Sequence, residues 1–136
     1  FFSPSETALV GVISVLPILI ALGLVNVWLV RSGRATKYRG AGAQNMKQEF
    51  AVYGLPSWFM YVIGFLKMVI ALVMIIGLFV PQIMYPFGFL ALIVLSVLML
   101  GALSMHIKVR DPFIKMLPAL LMLAMAVLTI CLIYLF

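Results

Sequence analysis

Residues 58–80 read WFMYVIGFLKMVIALVMIIGLFV, an unbroken apolar run that holds one charge, Lys67. At about 1.5 Å of rise per residue, such a helix crosses the ~30 Å hydrocarbon core of a bilayer. A membrane strand would alternate polar and apolar residues, and this run does not. The segment reads as a transmembrane helix, and the rest of the chain is read outward from it.

Upstream, an apolar run covers about residues 7–30 and ends at Arg31. Downstream, two more cover about 83–105, closed by His106, and 116–136. The first is too long for a signal peptide and lacks its basic start. Composition agrees: of 136 residues, 67% are hydrophobic and 9% charged, where a soluble domain is about half apolar and a quarter charged. A chain this short cannot hide so much apolar surface within itself. The predicted fold is all-α, a single transmembrane domain forming an integral membrane four-helix bundle of up-down topology, with basic loops over 31–57 and 106–115. Each span carries a stripe of small or weakly polar residues at helical spacing. These are Gly11, Ser14, Ile18 and Ala21; Gly64, Lys67 and Ala71; Gly88, Ala91, Leu95 and Ala102; and Ala119, Met122, Ala126 and Thr129. Lipid is as apolar as leucine, so close backbone approach at such stripes selects the packing faces, and the bulkier faces meet lipid.

Eight of the nine basic residues lie in two loops: Arg31, Arg34, Lys37, Arg39 and Lys47 in the first, Lys108, Arg110 and Lys115 in the third. The turn at Pro81-Gln82 has none. In a four-span chain those two loops share a side, so the positive-inside rule makes that side cytoplasmic and places both termini outside. The net charge of +6 then serves orientation and contact with membrane lipid headgroups, not nucleic acid. Trp28, Trp58, Tyr85 and Tyr134 fall near span ends, the level that amphipathic rings favour. Within the first loop, Met46, Phe50 and Tyr53 share one side of a run of helix formers that meets Gly54 and then Pro56. The pattern predicts a short amphipathic helix on the cytoplasmic surface.

Catalysis finds no support. The one cysteine, Cys131, excludes an internal disulfide or two-thiol motif. The one histidine excludes an internal bis-histidine haem, and three acids (Glu6, Glu49, Asp111) make no carboxylate-rich metal site. No phosphate loop, nucleophile elbow or zinc spacing occurs, so no metal and no covalently bound cofactor is expected.

Lys67 is the sharpest candidate. It lies about ten residues into its span, roughly 15 Å deep, where a charge costs about 2.5–3.5 kcal/mol on the mildest scale. Gly64 and Ala71 share its face, so it points into the bundle, and no span supplies an acid. It either snorkels, loses its proton or bonds to carbonyls and hydroxyls such as Ser14, Thr129 or Ser96, or else it meets an anionic or carbonyl-bearing ligand or another subunit's acid. His106 reads either as a cation favoured at a helix C-terminus or as a proton-exchanging or ligand-contacting group at the mouth of the bundle. Asp111-Pro112 is expected to turn the chain into the last helix, with the carboxylate near Arg110 or Lys115. Asn26 reads as an interhelical hydrogen bond ahead of a ligand contact.

The segments Tyr38-Arg39-Gly40, Gln44-Asn45-Met46-Lys47-Gln48-Glu49-Phe50 and Tyr53-Gly54-Leu55-Pro56 resemble the DoxX-like family of small four-span membrane proteins. So do Ile63-Gly64-Phe65-Leu66-Lys67 and Met99-Leu100-Gly101-Ala102 leading into His106 and Asp111-Pro112. The likeness runs from about Trp28 to Leu123. It implies a four-helix bundle in a bacterial inner membrane. It also implies an association with quinol oxidase or thiosulfate:quinone electron transfer, although most members have no assigned activity. Some branches of the wider family carry a carboxylate near the place of Lys67, so their chemistry does not transfer here. The related thiol-redox bundles need paired cysteines, which this chain lacks.

Two functions fit. The favoured one is a non-catalytic accessory subunit that packs onto subunits of a larger membrane complex of respiratory or photosynthetic electron transfer. Its docking residues would be Tyr38, Arg39, Asn45, Glu49, Phe50, Tyr53, Arg110 and Asp111. The alternative is a binder or carrier of a quinone, lipid or anion, with Lys67, His106 and Asn26 in contact with it.

Overall fold

The computed structural model describes residues 4–30 and 43–135, with side chains over 10–28 and 43–135. The expected docking residues Tyr38 and Arg39 lie outside the described residues. Helix α1 (Pro4–Val25) continues into a π-helical turn, Asn26–Val30. Then come α2 (Met46–Val52) and α3 (Ser57–Phe79). A single turn at Pro81–Ile83 and a π-helical turn at Met84–Gly88 lead into α4 (Phe89–Lys108), and α5 (Phe113–Ile130) continues into a third π-helical turn, Cys131–Leu135. No strand occurs among the described residues.

Four helical stretches are long and apolar enough to cross a membrane: Val10–Trp28, Ser57–Phe79, Pro81–Lys108 and Phe113–Leu135. The last two outrun their apolar cores because helix continues through basic residues, so that His106 and Lys108 belong to α4 and Lys115 to α5. The protein is an all-helical integral membrane bundle. Helix α1 packs on α3, α4 on α5, and α5 returns to α1, while α3 meets the third span chiefly at the turn Met84–Gly88. Ile20, Leu24, Met74, Leu92, Leu95 and Ala126 fill the centre. The outside is equally apolar, with Phe65, Leu72, Phe79, Leu90 and Val97 exposed, which is stable only where lipid covers it.

Three of the four small-residue stripes turn inward: Gly64 and Ala71, Gly88, Ala91 and Leu95, and Met122, Ala126 and Thr129 are buried. The stripe on α1 does so only at Ala21. Gly11 faces open space and Ile18 is exposed; beside Ala21, α1 buries Leu16, Pro17, Ile20 and Leu24. The close approach on this helix is at Gly23, where a Cβ would come within 2.9 Å of the Met122 methyl. A long side chain from α5 thus occupies the space, and bulk sets the face where smallness was expected to.

Two contacts seal the ends of the bundle. At the end that carries the basic turn, Trp28 packs against α3, so close that a Cβ on Gly64 would overlap its ring. At the opposite end, Tyr134 donates its hydroxyl to the Met84 carbonyl, and the rings of Phe89 and Tyr85 stand edge-on to it at 5.1 and 6.1 Å.

Candidate functional site

The ends of α2 place the site. Asn45 caps its start: Oδ1 accepts the Gln48 N–H at 2.8 Å, and Gln48 Oε1 accepts the Gln44 N–H at 2.8 Å. At its finish Gly54 takes φ 80, a conformation glycine adopts without a Cβ penalty. The Gly54 and Leu55 N–H groups then bond back to the Ala51 and Phe50 carbonyls at 3.0 and 2.9 Å. This reversal brings Phe50 and Leu55 to one groove.

Helix α4 ends the same way without a glycine. Arg110 occupies the left-handed position at φ 57, and the Arg110 and Asp111 N–H groups bond to the Ile107 and His106 carbonyls at 3.0 and 2.9 Å. The turn carries Asp111 back under His106, whose Nδ1–H donates to Oδ2 at 2.7 Å with both side chains buried. Lys115 lies 3.8 Å from the other carboxylate oxygen. Asp111 thus serves both His106 and Lys115, because the left-handed residue folds the chain back.

Helix α2 is clasped to this corner. Tyr53 Oη donates to Glu49 Oε1 at 2.7 Å, and its ring meets His106 edge-on at 5.9 Å. Lys108 Nζ donates to the Tyr53 carbonyl at 2.9 Å, a cation where the helix dipole favours one. Met46 and Tyr53 are buried, and Phe50 packs between Tyr53 and Phe59. The short helix forms a roof on the bundle.

Beneath the roof lies a groove of about 230 Å³ between α3 and α4. Phe59, Ile63 and Lys67 form one wall, Val97, Gly101 and Met105 the other, and Phe50, Tyr53 and Leu55 cover its end. It exists because the second and third spans approach closely at their far ends, where a Cβ on Gly77 would come within 2.8 Å of the Met84 methyl, and splay toward the roof. Gly101 keeps the wall open, since a Cβ there would meet nothing within 4 Å. Val97 and Gly101 are exposed, so the groove opens sideways into the bilayer.

Lys67 reaches into this groove. Helical side chains point toward the N-terminus of their own helix, so it climbs toward the roof. Among the described residues, Lys67 has no hydrogen-bond or ion-pair partner. None of the hydroxyls expected to serve it bonds to it: Ser14, Ser96 and Thr129 each donate to the carbonyl four residues back in their own helices, at 2.9, 2.9 and 2.6 Å. Glu49, on the roof helix, acts on Lys67 electrostatically and not by contact. Asn26 is exposed and does not line the groove, Arg110 is exposed on its turn, and Asn45 caps α2. Among the described residues, no cluster of three or more His, Cys, Asp or Glu side chains could hold a metal ion.

A family model described as DoxX-like matches residues 20–129. The match takes in the end of α1, all of α2, α3 and α4 and nearly all of α5, and with them the groove, its roof and the His106–Asp111 corner. No curated protein and no solved structure matches the chain.

Proposed function

This chain belongs to the DoxX-like family, and we propose that it is a non-catalytic membrane protein that takes an amphipathic ligand from the bilayer into the groove beneath α2. The ligand carries an anionic or carbonyl-bearing head; quinones and lipids are the classes in reach. The observation that carries this reading is Lys67, whose ammonium group, when protonated, is a charge within the membrane on the wall of an apolar groove open to lipid. Such a charge is costly at that depth, and a ligand head beside it offsets the cost. Apolar walls with a few placed polar groups are the usual makeup of a binding site. His106 is bonded to Asp111 and Tyr53 to Glu49, so these groups position the roof.

An accessory role on a larger electron-transfer complex is compatible with this reading. What supports it is the broad apolar outer face, with Phe65, Leu72, Phe79 and Leu90 exposed, on which other spanning helices could pack; we place the two basic loops on the cytoplasmic side of a bacterial inner membrane. Purification in mild detergent, with solvent extraction and mass spectrometry of bound small molecules, tests both. An amphiphile retained by the wild type and lost from Lys67→Met supports binding, and co-migration with a large assembly supports the accessory role. A small species that carries nothing would overturn both.

A further inference from the structure

We propose that the ligand of the groove is a single-chain carboxylate, an amphiphile of fatty-acid type drawn from the leaflet on the basic side. The proposal rests on the groove reading above and narrows its ligand. Three observations carry it: size, charge and depth.

The groove holds about 230 Å³, below the ~300–1,000 Å³ that encloses a drug-sized ligand. It has room for a compact head and part of one chain, and the remainder must leave sideways past exposed Val97 into lipid. The polar groups at the roofed end are Lys67 and Tyr53, and Lys67 has no contacting partner among the described residues. Glu49 offsets its charge only through space. A neutral carbonyl would leave the ammonium with no counter-charge in contact, whereas a carboxylate supplies one in a medium where charge-assisted hydrogen bonds are strong. Depth excludes the bulkier anions. Lys67 lies well inside α3, and a phosphate-bearing head would have to leave Lys108, Arg110 and Lys115 at the interface to reach it.

The test uses the full chain in phosphatidylcholine nanodiscs with three photoactivatable probes: a diazirine fatty acid, its methyl ester, and a diazirine phosphatidylglycerol. Labelled peptides are mapped by mass spectrometry. The acid is expected to label the Val97–Met105 stretch, with the ester weaker by about tenfold or more, the loss expected for one hydrogen bond to a charged group. Phosphatidylglycerol should label only the lipid-facing surface. Lys67→Met should lower acid labelling by the same factor and leave the ester unchanged. Glu49→Gln, which keeps an acceptor for Tyr53 but removes the competing charge, should raise acid labelling. Gly101→Leu should exclude both single-chain probes; Val97→Trp, at an exposed position, is the second groove-filling variant should Gly101→Leu not assemble. If acid and ester label equally and both are excluded by groove filling, the groove reading stands and the carboxylate assignment is overturned. Groove labelling by phosphatidylglycerol equal to that by the acid would overturn the single-chain assignment. Labelling indifferent to groove filling would overturn both.

Discussion

Gly64→Ala and Gly101→Ala place the same methyl group in the interior of two spanning helices, and they should move stability in opposite directions. Alanine is favoured over glycine in a helix interior by roughly 0.5–1 kcal/mol. At Gly101 nothing stands within 4 Å of the new atom, so that gain should be realised. At Gly64 the Cβ overlaps the Trp28 ring. This is a rigid plane and not the tip of a flexible side chain, so α1 has to move away from α3. Overpacking of this kind costs about 1–3 kcal/mol, which at mid-range leaves Gly64→Ala destabilised by a net ~1.3 kcal/mol after the helix gain is subtracted. Reversible denaturation in mixed micelles, followed by far-ultraviolet circular dichroism, measures both. A second leg isolates the cause: with Trp28→Leu in the background, Gly64→Ala should lose most of its cost, a coupling of about 1 kcal/mol or more between contacting residues. A Gly64→Ala variant as stable as wild type, or one whose cost persists after Trp28→Leu, would refute this account of how α1 and α3 pack.

Other consequences are equally open to measurement. Asp111→Asn removes the carboxylate that His106 and Lys115 share, so the roof should loosen. Limited proteolysis between 43 and 57 should speed up by about tenfold while helical content holds, as for the loss of one charged hydrogen bond; unchanged proteolysis would show that the corner does not hold α2. Arg110→Gly relieves a left-handed residue that costs roughly 1–2 kcal/mol, so its melting temperature should rise; a fall would mean that the arginine side chain makes up more than the strain. In a Cys131→Ser background, Gln44→Cys should react with an impermeant maleimide only in opened cells, and labelling of intact cells would reverse the orientation.

The spans were legible because nothing but a membrane helix explains unbroken apolar runs such as 58–80, and the roof helix because Gly54 and Pro56 mark its end. The contacts that build the site were harder to read. His106 and Asp111 are five residues apart, off any helical face, and meet only because Arg110 turns left-handed, a conformation for which arginine gives no sequence signal. Glu49 comes within range of Lys67 only once α2 folds back over α3, so an inventory of acids span by span misses it. The packing face of α1 was misread because smallness along Gly11, Ser14 and Ile18 says nothing about which partner presents a side chain, and Met122 happens to fill Gly23. The π-helical turns leave no mark on an apolar pattern, so Trp28 over Gly64 had no visible cause. Gly101 was visible as a residue, but its role as the open wall of a groove depends on the splay of α3 from α4.

The central claim is that the space between α3 and α4, under α2 and beside Lys67, holds a ligand from the membrane. Native mass spectrometry of the wild type and of Gly101→Leu, released from the same mild detergent, tests it most directly. The account predicts a discrete small-molecule adduct on the wild-type chain that is lost when the leucine fills the groove, with both proteins equally helical. Identical adducts on both chains, or a bare wild-type chain, would contradict it.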